Sequence, residues 1–174
     1  MKIKSTKFKN LKIIKSPVHR DKRGYFREIF KNNFFTKQKF IFTFVSSSKK
    51  NVLRGLHLQI KYAQGKYLSV LKGEIFDTVV DLRKNSKNFG KSFSVNLSDK
   101  NGISLYIPPG FAHGFVGLKK ENIISYHCTN YRSKKHEIGL MWNDKDIKIN
   151  WPIKKPILSA KDQKNFTLKE YIKK

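Results

Sequence analysis

The chain contains one cysteine, Cys128, so that thiol has no partner within the chain for a disulfide bond. Such sparing use of cysteine is typical of a reducing compartment, and we expect a cytoplasmic protein. No apolar run approaches the roughly 20 residues that a membrane-spanning helix needs. The N-terminal segment is basic throughout and lacks the apolar stretch of a signal peptide. These absences exclude a disulfide-stapled scaffold and predict a protein without a membrane partner.

Acidic residues are also scarce, with 12 Asp and Glu against 38 Lys and Arg, which gives a formal net charge of +26. Such a charge is compatible with nucleic-acid binding. However, only 6 of the basic residues are Arg, and the 32 Lys are spread from end to end of the chain. Lys, Ile and Asn share A/T-rich codons, so genome composition can account for much of the excess. We therefore expect a solvated Lys-rich surface and no nucleic-acid partner, together with an attraction for anionic small ligands.

The apolar content of the chain is sufficient for one packed core, since 39% of its 174 residues are hydrophobic and 14 are Phe. This length predicts a single domain over residues 1–174. Apolar and polar residues alternate in several segments, which predicts half-buried β-strands. Strands are expected at 92–98, 103–107, 123–128 and 147–151, with two more in 67–82 around a Lys72–Gly73 turn. Helices are expected only near 31–40 and 166–173, so the pattern favours a β-sandwich or barrel.

The segment Pro108–His113 has the pattern Pro-x-Gly-x-x-His directly after an alternating strand. Pro and Gly predict a tight turn that delivers His113 onto the next strand, and the pattern resembles the second motif of the cupin family. The first cupin motif has a His-x-His pair and a Glu. Here the stretch that starts at His57 has Gln59 at the second His position. No Asp or Glu lies between His57 and Gly73. Two imidazoles alone make a poor site for a divalent ion, so we expect no metal.

Seven segments with unusual residues follow one another along the chain. They are Arg23–Glu28, Val52–His57, Gln64–Lys66, Pro108–Phe115, Trp142–Asp144, Trp151–Pro152 and Leu158–Asp162. Together they closely resemble the dTDP-4-dehydrorhamnose 3,5-epimerase family of nucleotide-sugar epimerases, from about Lys12 to Phe166. The resemblance implies an all-β, cupin-type jelly-roll β-sandwich with a few short helices. It also implies a homodimer that needs no cofactor.

The activity that this resemblance implies is epimerisation of a nucleotide-linked 4-keto-6-deoxy sugar, in the biosynthesis of surface polysaccharide sugars. The protons on C3 and C5, next to the ketone, are weakly acidic. A base removes one to form an enolate, and an acid returns one to the opposite face. His57 resembles the family's base and Asp162 the carboxylate that orients it. Tyr126 resembles the opposite-face acid, and Lys66 resembles the cation beside the developing enolate.

A further set of residues matches the positions at which the family contacts its nucleotide-diphosphate sugar. Guanidinium forks suit phosphate oxygens, and two of the 6 Arg residues, Arg23 and Arg54, stand at such positions. Phosphate and nucleotide contacts are implied for Arg23, Arg54 and Lys161, and further ligand contacts for Glu28, His113 and Glu137. Tyr131 is expected either to flank the sugar or to line the pocket mouth. Asp77 and Asp81 lie on a predicted strand, and no functional role is assigned to either.

One departure from the family precedes the Leu-Arg-Gly-Leu-His motif. The family commonly shows Gln-x-Asn there, to contact the substrate, whereas counting back without a gap gives Phe42 and Phe44. If both rings line the pocket, the amide hydrogen bonds are lost, and we expect poor turnover of the usual dTDP-linked 6-deoxyhexose. If the rings pack in the core instead, the ordinary substrate is retained.

Other functions stay open at this point. One alternative is an enzyme that acts on a related nucleotide sugar, such as a GDP-linked heptose. Such an enzyme would invert only C3 or only C5, or would be a ketoisomerase. Alternatively, the protein is a cupin that binds a sugar nucleotide without catalysis. The sequence leaves open the sugar, the nucleotide base and the number of carbons inverted.

Overall fold

Two antiparallel sheets packed face to face form the body of the protein. The structure, a computed structural model, describes residues 1–35 and 38–174. In chain order, its strands are β1 (Lys2–Ser5), β2 (Lys12–Lys15), β3 (His19–Asp21), β4 (Gly24–Phe26), β5 (Phe42–Lys49), β6 (Leu53–Gln59), β7 (Lys66–Lys72), β8 (Glu74–Asp81), β9 (Ser92–Ser98), β10 (Ile103–Ile107), β11 (Phe111–Gly117), β12 (Glu121–Cys128) and β13 (Glu137–Gly139).

The two sheets interleave strands that are distant in the chain. One sheet has six strands in the order β1-β2-β10-β7-β12-β5, and the other has five in the order β13-β6-β11-β8-β9. β3 and β4 form a separate hairpin. Consecutive strands therefore often lie in different sheets, as expected of a sandwich with long connections rather than of a simple meander. The predicted all-β sandwich is confirmed.

Helices are short in the part of the chain that the structure describes. There are 3-10 helices at Asn32–Phe35, Lys134–His136 and Asp162–Lys164, and one α-helix, α1, at Leu168–Ile172. α1 confirms the helix predicted near 166–173 and begins with a capping box in which Thr167 and Glu170 bond reciprocally. The helix predicted near 31–40 is present only as the 3-10 turn, and residues 36–37 lie outside the described residues. None of the described helices is long and apolar enough to cross a membrane.

The strands predicted at 92–98, 103–107 and 123–128 are confirmed as β9, β10 and β12. The segment 67–82 also forms two strands, but β7 and β8 do not pair with each other, because they belong to different sheets. Gly73 makes this crossing possible, with φ at +86°. A Cβ at this position would lie 2.2 Å from the carbonyl oxygen of Glu121, so only glycine fits. The chain passes from one layer to the other at Gly73 instead of turning back as a hairpin.

The prediction of a strand at 147–151 is wrong. This segment is a turn and irregular chain, in which Lys148 has φ at +52°, outside the extended region. The turn is fixed by Asp144, whose Oδ1 accepts the Ile147 N–H at 3.0 Å. Ile147 is nevertheless buried, and Ile149 and Trp151 pack against the same apolar cluster. The alternation thus marks side chains that anchor a turn rather than one face of a strand.

The space between the sheets is filled by an apolar core. β7 contributes Leu68, β8 contributes Ile75 and β10 contributes Leu105, and all three are fully buried. Burial of side chains of this size stabilises the fold by about 1.5–3 kcal/mol each. Phe115 and Tyr126 belong to this core and also line an open cavity. The core and the cavity therefore share side chains, so core packing fixes part of the cavity wall.

Candidate active site

An open cavity of about 670 Å³ lies between the two sheets. Its walls come from β5, β7 and β12 of the six-stranded sheet and from β6, β11 and β13 of the five-stranded sheet, together with the segment 157–162. Most of the residues predicted for the site line it, namely Arg54, His57, Lys66, His113, Tyr126, Glu137, Lys161 and Asp162. The fold thus brings together residues from five of the strands and from the C-terminal segment.

The backbone around His57 depends on a close approach between β6 and β11. Gly55 has φ at +130°, and a Cβ there would lie 2.5 Å from Gly114 Cα. Glycine at both positions therefore allows backbone contact where the register of β6 and β11 shifts. His57 follows two residues later, opposite His113 of β11, and lines the cavity.

His57 and Asp162 form a hydrogen-bonded pair in the cavity wall. The His57 Nε2–H donates to Asp162 Oδ1 at 2.6 Å. Because an ionised carboxylate only accepts, this bond selects the Nε2–H tautomer of the neutral imidazole and leaves the Nδ1 lone pair available. The carboxylate is buried, whereas the imidazole is partly exposed. The pair has the arrangement of a general base and the group that orients it.

Opposing effects set the pKa of the Asp162 carboxyl. Burial alone would raise it, but interactions with His57, Ser159 and Asn165 outweigh burial and lower the pKa below its ordinary value of 3.8. The backbone N–H of Asp162 also donates to Ser159 Oγ at 3.1 Å, which anchors the start of the 3-10 helix that carries Asp162. Asp162 is therefore ionised at neutral pH and stabilises a protonated imidazole beside it.

Tyr126 lies on the facing wall, in β12 of the six-stranded sheet, and is only 5% exposed. Burial raises the pKa of its hydroxyl well above the ordinary value of 10.0, and the negative charge of Asp77 acts in the same direction. The phenol therefore keeps its proton at neutral pH. Its ring stacks on Phe44, with centroids 4.6 Å apart, and meets the His113 ring edge-on at 6.3 Å. Tyr126 is thus a protonated donor held between two other rings.

Lys66 begins β7 and pairs in register with Cys128 of β12. Burial lowers the pKa of the Lys66 ammonium below 10.5, whereas Cys128, Glu137 and Asp77 act in the opposite direction. Burial also raises the pKa of the Cys128 thiol to about 11, so the thiol is neutral at neutral pH. An amine held in a poorly solvated wall interacts strongly with negative charge that develops on a bound ligand.

Glu137 is the centre of a charge cluster in the cavity wall. Arg132 donates from Nε to Glu137 Oε2 at 2.9 Å and from Nη2 to Oε1 at 3.2 Å, and Lys161 Nζ donates to Oε1 at 2.5 Å. Burial alone would raise the pKa of Glu137, but these two cations and His57 lower it to about 2. Glu137 is therefore ionised at neutral pH and holds Arg132 and Lys161 at the cavity.

Arg54 of β6 is oriented by two residues of β5, the preceding strand in the chain, which belongs to the other sheet. Its Nε donates to Ser48 Oγ at 2.8 Å and its Nη2 to the Ser47 carbonyl at 3.0 Å. Among the described lining residues, Arg54 is one of four Lys or Arg cations, against two carboxylates. The cavity therefore carries a positive excess that favours an anionic ligand such as a diphosphate.

His113 and Asp77 form a second imidazole–carboxylate pair, in which His113 lines the cavity and Asp77 lies behind it. The His113 Nε2–H donates to Asp77 Oδ2 at 2.7 Å, and both side chains are buried. The sequence assigned no role to Asp77, because strand alternation does not reveal which His it meets. The pair fixes the ring of His113, which in turn contacts Tyr126.

Three predicted ligand contacts do not line the cavity. Arg23 lies at the β3–β4 hairpin, where it pairs with Asp21 at 2.6 Å, and Glu28 pairs with Lys31 at 2.9 Å. Tyr131 is 63% exposed, and its ring lies 5.9 Å from that of Phe42, which does line the cavity. Within one copy of the chain, the structure therefore separates the Arg23 segment from the cavity and puts Tyr131 beside it.

Four polar lining residues were not among the predicted site residues, and they are Ser46, Gln64, Arg132 and Ser159. Gln64 donates to the Asn130 carbonyl at 2.7 Å. Gln64 and Ser159 both fall inside the quoted motifs, so the motifs contained a signal for them. Arg132 had a weaker signal, since it is one of only 6 Arg and stands five residues before Glu137.

Phe42 and Phe44 both line the cavity, as expected if they replace the two amides. Phe42 also packs against the core between the sheets, whereas Phe44 is 37% exposed. Their ring centroids are 5.5 Å apart. They alternate along β5, which puts both rings on the same face of the sheet. One wall of the cavity is therefore aromatic where the family commonly has two amides.

Within the ranges that the structure describes, no group of three or more His, Cys, Asp or Glu side chains could hold a metal ion. His57 and His113 are neighbours in register, but each has its Nε2 bonded to a different carboxylate. The absence of a metal requirement stays a prediction, which chelation tests.

Comparison with known proteins points to one family. A family model described as dTDP-4-dehydrorhamnose 3,5-epimerase matches residues 5–170. The dTDP-4-dehydrorhamnose 3,5-epimerase of Shigella flexneri is 44% identical over 168 residues, which cover 93% of this chain and 93% of the relative. A crystal structure of the enzyme of that name from Elizabethkingia anophelis NUHP1 has a TM-score of 0.90 and 42% identity, and covers 98% of this chain and 97% of the other. The dTDP-6-deoxy-D-glucose-3,5-epimerase of Legionella pneumophila Philadelphia 1, in complex with dTDP-4-keto-L-rhamnose, has a TM-score of 0.91 and 38% identity, and covers 97% and 93%.

Proposed function

The chain belongs to the dTDP-4-dehydrorhamnose 3,5-epimerase family, and on this basis we propose that it inverts C3 and C5 of a dTDP-linked 4-keto-6-deoxy sugar in rhamnose biosynthesis. The observation that carries the proposal is the position of its base and acid on facing walls. His57 and Asp162 lie on the side of the five-stranded sheet, and Tyr126 lies in the six-stranded sheet. An epimerase needs this arrangement, because a proton leaves one face of the sugar ring and another enters the opposite face.

In the first step, His57 Nδ1 takes the proton from C3 or C5 of the bound sugar. The electron pair of the broken C–H bond forms a C=C bond to C4, and the carbonyl electrons move onto the C4 oxygen. The resulting imidazolium is stabilised by the ionised Asp162 carboxylate, which accepts the other N–H. The step moves one proton and oxidises nothing, so it calls for no redox cofactor.

The enolate oxygen needs a positive partner, and Lys66 is our proposed candidate. It lines the same cavity as His57 and Tyr126, and burial reduces the solvent that would screen its charge. A cation placed where charge develops lowers the barrier more than one in water does. We expect Lys66 to act on both half-reactions, because C3 and C5 share the same carbonyl.

In the second step, Tyr126 donates its phenolic proton to the carbanionic carbon from the opposite face. The C–H bond forms as the enolate electrons return, and the ketone at C4 is restored. Because the pKa of the Tyr126 hydroxyl is raised, the donor is protonated at neutral pH. His57 then releases its proton to solvent and Tyr126 regains one, so each inversion introduces a solvent hydrogen.

The nucleotide diphosphate is proposed to bind to Arg54, Arg132 and Lys161. Arg54 is pre-oriented by Ser48, and the other two cations are held by Glu137. Pre-orientation reduces the side-chain entropy lost on binding. Phosphate oxygens fit guanidinium forks, so these contacts would hold the sugar between the two walls.

We further propose that the protein is a homodimer and that Arg23 and Glu28 serve the cavity of the second copy. Neither residue lines the cavity of its own chain, yet both match ligand-contacting positions of the family. The hairpin next to them exposes two adjacent aromatic side chains, Tyr25 and Phe26, which are 47% and 67% exposed and would be available to a second copy.

A complementation experiment tests this assignment. An Arg23→Ala chain and a His57→Asn chain are each expected to have low activity alone. If Arg23 acts in the other copy's cavity, mixed dimers contain one intact site, and activity reappears on mixing after brief dissociation. Failure to regain activity in verified mixed dimers would contradict the assignment, and a monomeric mass by light scattering would contradict the dimer.

The dTDP-linked 6-deoxy sugar is the substrate that we prefer. The relatives compared above are named for dTDP-linked sugars, which argues against a GDP-linked heptose as the first choice. The presence of Phe42 and Phe44 in place of the two amides predicts poorer turnover of this sugar, which kcat/KM for dTDP- and GDP-linked sugars tests. The assembled His57, Asp162, Tyr126 and Lys66 also argue against a binding protein without catalysis.

Proton NMR of the dTDP-4-keto-6-deoxy sugar in deuterated water tests the proposal directly. We expect deuterium to enter at C3 and C5 with inversion of both carbons. The His57→Asn variant should lose about 100- to 10,000-fold in rate, the usual contribution of a general base. Exchange at a single carbon would show a monoepimerase, and faster turnover of a GDP-linked sugar would overturn the nucleotide assignment.

A further inference from the structure

The ring of Phe44 covers one face of the proposed proton donor. Phe44 of β5 and Tyr126 of β12 lie directly opposite each other in the sheet register. Their rings are nearly parallel, with an interplanar angle of 6° and centroids 4.6 Å apart. Cross-strand aromatic pairs of this kind favour one relative orientation of the two rings. Phe44 also lines the cavity and is 37% exposed, so it stands between Tyr126 and the solvent on that side.

A second contact holds the Tyr126 ring from another direction. The His113 ring meets it edge-on, with centroids 6.3 Å apart and an interplanar angle of 67°. His113 is itself fixed by its bond to Asp77, and both of these side chains are buried. Phe44, in contrast, is on an edge strand of its sheet and faces the cavity. The Tyr126 ring is therefore bounded by one rigid neighbour and by one neighbour that a substitution can change without opening the core.

Resting on the function proposed above, we propose that Phe44 is a positioning residue for epimerisation. Its stacked ring holds the Tyr126 phenol in the orientation that delivers a proton to the sugar, and keeps water from that face of the ring. Phe44 has no proton to give, so it acts only through Tyr126. Its loss should slow the delivery of a proton to the opposite face of the sugar.

Proton abstraction should be spared, because His57 and Asp162 lie on the other wall and have their own hydrogen bond at 2.6 Å. When return to the opposite face is slow, the imidazolium gives a proton back to the face from which it came. If that proton has exchanged with deuterated solvent, deuterium enters the sugar without inversion. A defect in positioning therefore appears as a change in the ratio of deuterium entry to inversion.

The test compares Phe44→Leu, which keeps an apolar side chain without a ring, with Phe44→Tyr, which keeps the ring. Phe44→Met supplies a second ring-free variant if the Leu variant does not fold, as judged by thermal unfolding. Val45→Ala is the matched control, because Val45 is the next residue of β5, alternates to the other face and is 58% exposed. Initial rates of inversion and of deuterium entry are followed by NMR with the dTDP-4-keto-6-deoxy sugar.

For the ring-free variants we expect kcat for inversion to fall by about 3- to 10-fold, in keeping with the strength of an aromatic pair. The rate of deuterium entry and the KM should stay within about 2-fold of wild type. Phe44→Tyr should restore the inversion rate, and Val45→Ala should not change it.

Two results would overturn the positioning role while leaving the proposed function intact. One is an equal fall, or no fall, in inversion and deuterium entry in the ring-free variants. The other is a raised KM with unchanged kcat, which would mean that Phe44 contacts the sugar itself. Absence of deuterium entry in the wild-type protein would instead overturn the proposed function, and the positioning role with it.

Discussion

The Asp162→Asn substitution tests the interaction on which the proposed base depends. The amide keeps the shape of the side chain but removes the negative charge that accepts the His57 Nε2–H at 2.6 Å. Hydrogen bonds to charged groups contribute about 1.5–3 kcal/mol, and Asp162 is only 4% exposed, so solvent screens this bond little. The imidazolium formed in the first step loses that stabilisation in the variant. Since about 1.36 kcal/mol corresponds to tenfold in rate, we expect kcat to fall by about 10- to 150-fold.

The assay is the initial rate of deuterium entry at C3 and C5, measured by proton NMR with substrate in excess. Asp146→Asn is the matched control, because Asp146 is a carboxylate outside the cavity lining that pairs with Lys169 at 3.6 Å on the surface. Exposed ion pairs contribute little, so this variant should keep the wild-type rate. Thermal unfolding of both variants checks that the fold is intact. A folded Asp162→Asn protein that exchanges within about 2-fold of wild type would refute the reasoning.

Three other outcomes are expected. Tyr126→Phe keeps the ring but deletes the donor, so deuterium entry at a ring carbon should outlast net inversion; a parallel decline of both would assign Tyr126 to positioning alone. Extensive EDTA treatment should leave turnover unchanged, and a loss that a divalent ion restores would show that the enzyme needs a metal. The pKa of Glu137 is lowered from 4.5 to about 2, so its contribution to the free energy of unfolding, about 3 kcal/mol, is complete above pH 4.5 and is lost as the pH falls to 2. Urea unfolding across this range should show that loss in the wild type and not in Glu137→Gln; the same acid sensitivity in both would contradict the charge cluster.

Local patterns predicted the strands well where each strand has one buried face. The alternation at 92–98 and the Pro-x-Gly turn before His113 both appear in the structure as predicted. The same rule failed at 147–151, because Asp144 bonds the backbone there into a turn whose side chains are also buried at intervals of two. Alternation reports which side chains are buried, and a strand is only one way to bury them.

The candidate site was predicted through the order of its motifs rather than through any one residue. Each motif is short, so its chemistry is visible in the sequence, and the family resemblance supplied the roles. The resemblance did not show how far each residue lies from the cavity. In the sequence, Arg23 and Arg54 look equivalent as phosphate ligands. In the structure, Arg54 lines the cavity, whereas Arg23 lies in the turn between β3 and β4 and pairs with Asp21.

By itself, the sequence determined the residue chemistry, the β-rich pattern, the Gly positions and the family to which the chain belongs. These depend on side-chain type and on neighbours a few residues apart, which the sequence displays directly. Only the tertiary structure decided which distant residues meet: His57 and Asp162, 105 positions apart, and Phe44 and Tyr126 on adjacent strands. Such contacts depend on strand order, register and the packing of the two sheets. These features fix where each side chain lies in space, and they involve residues that are far apart in the sequence.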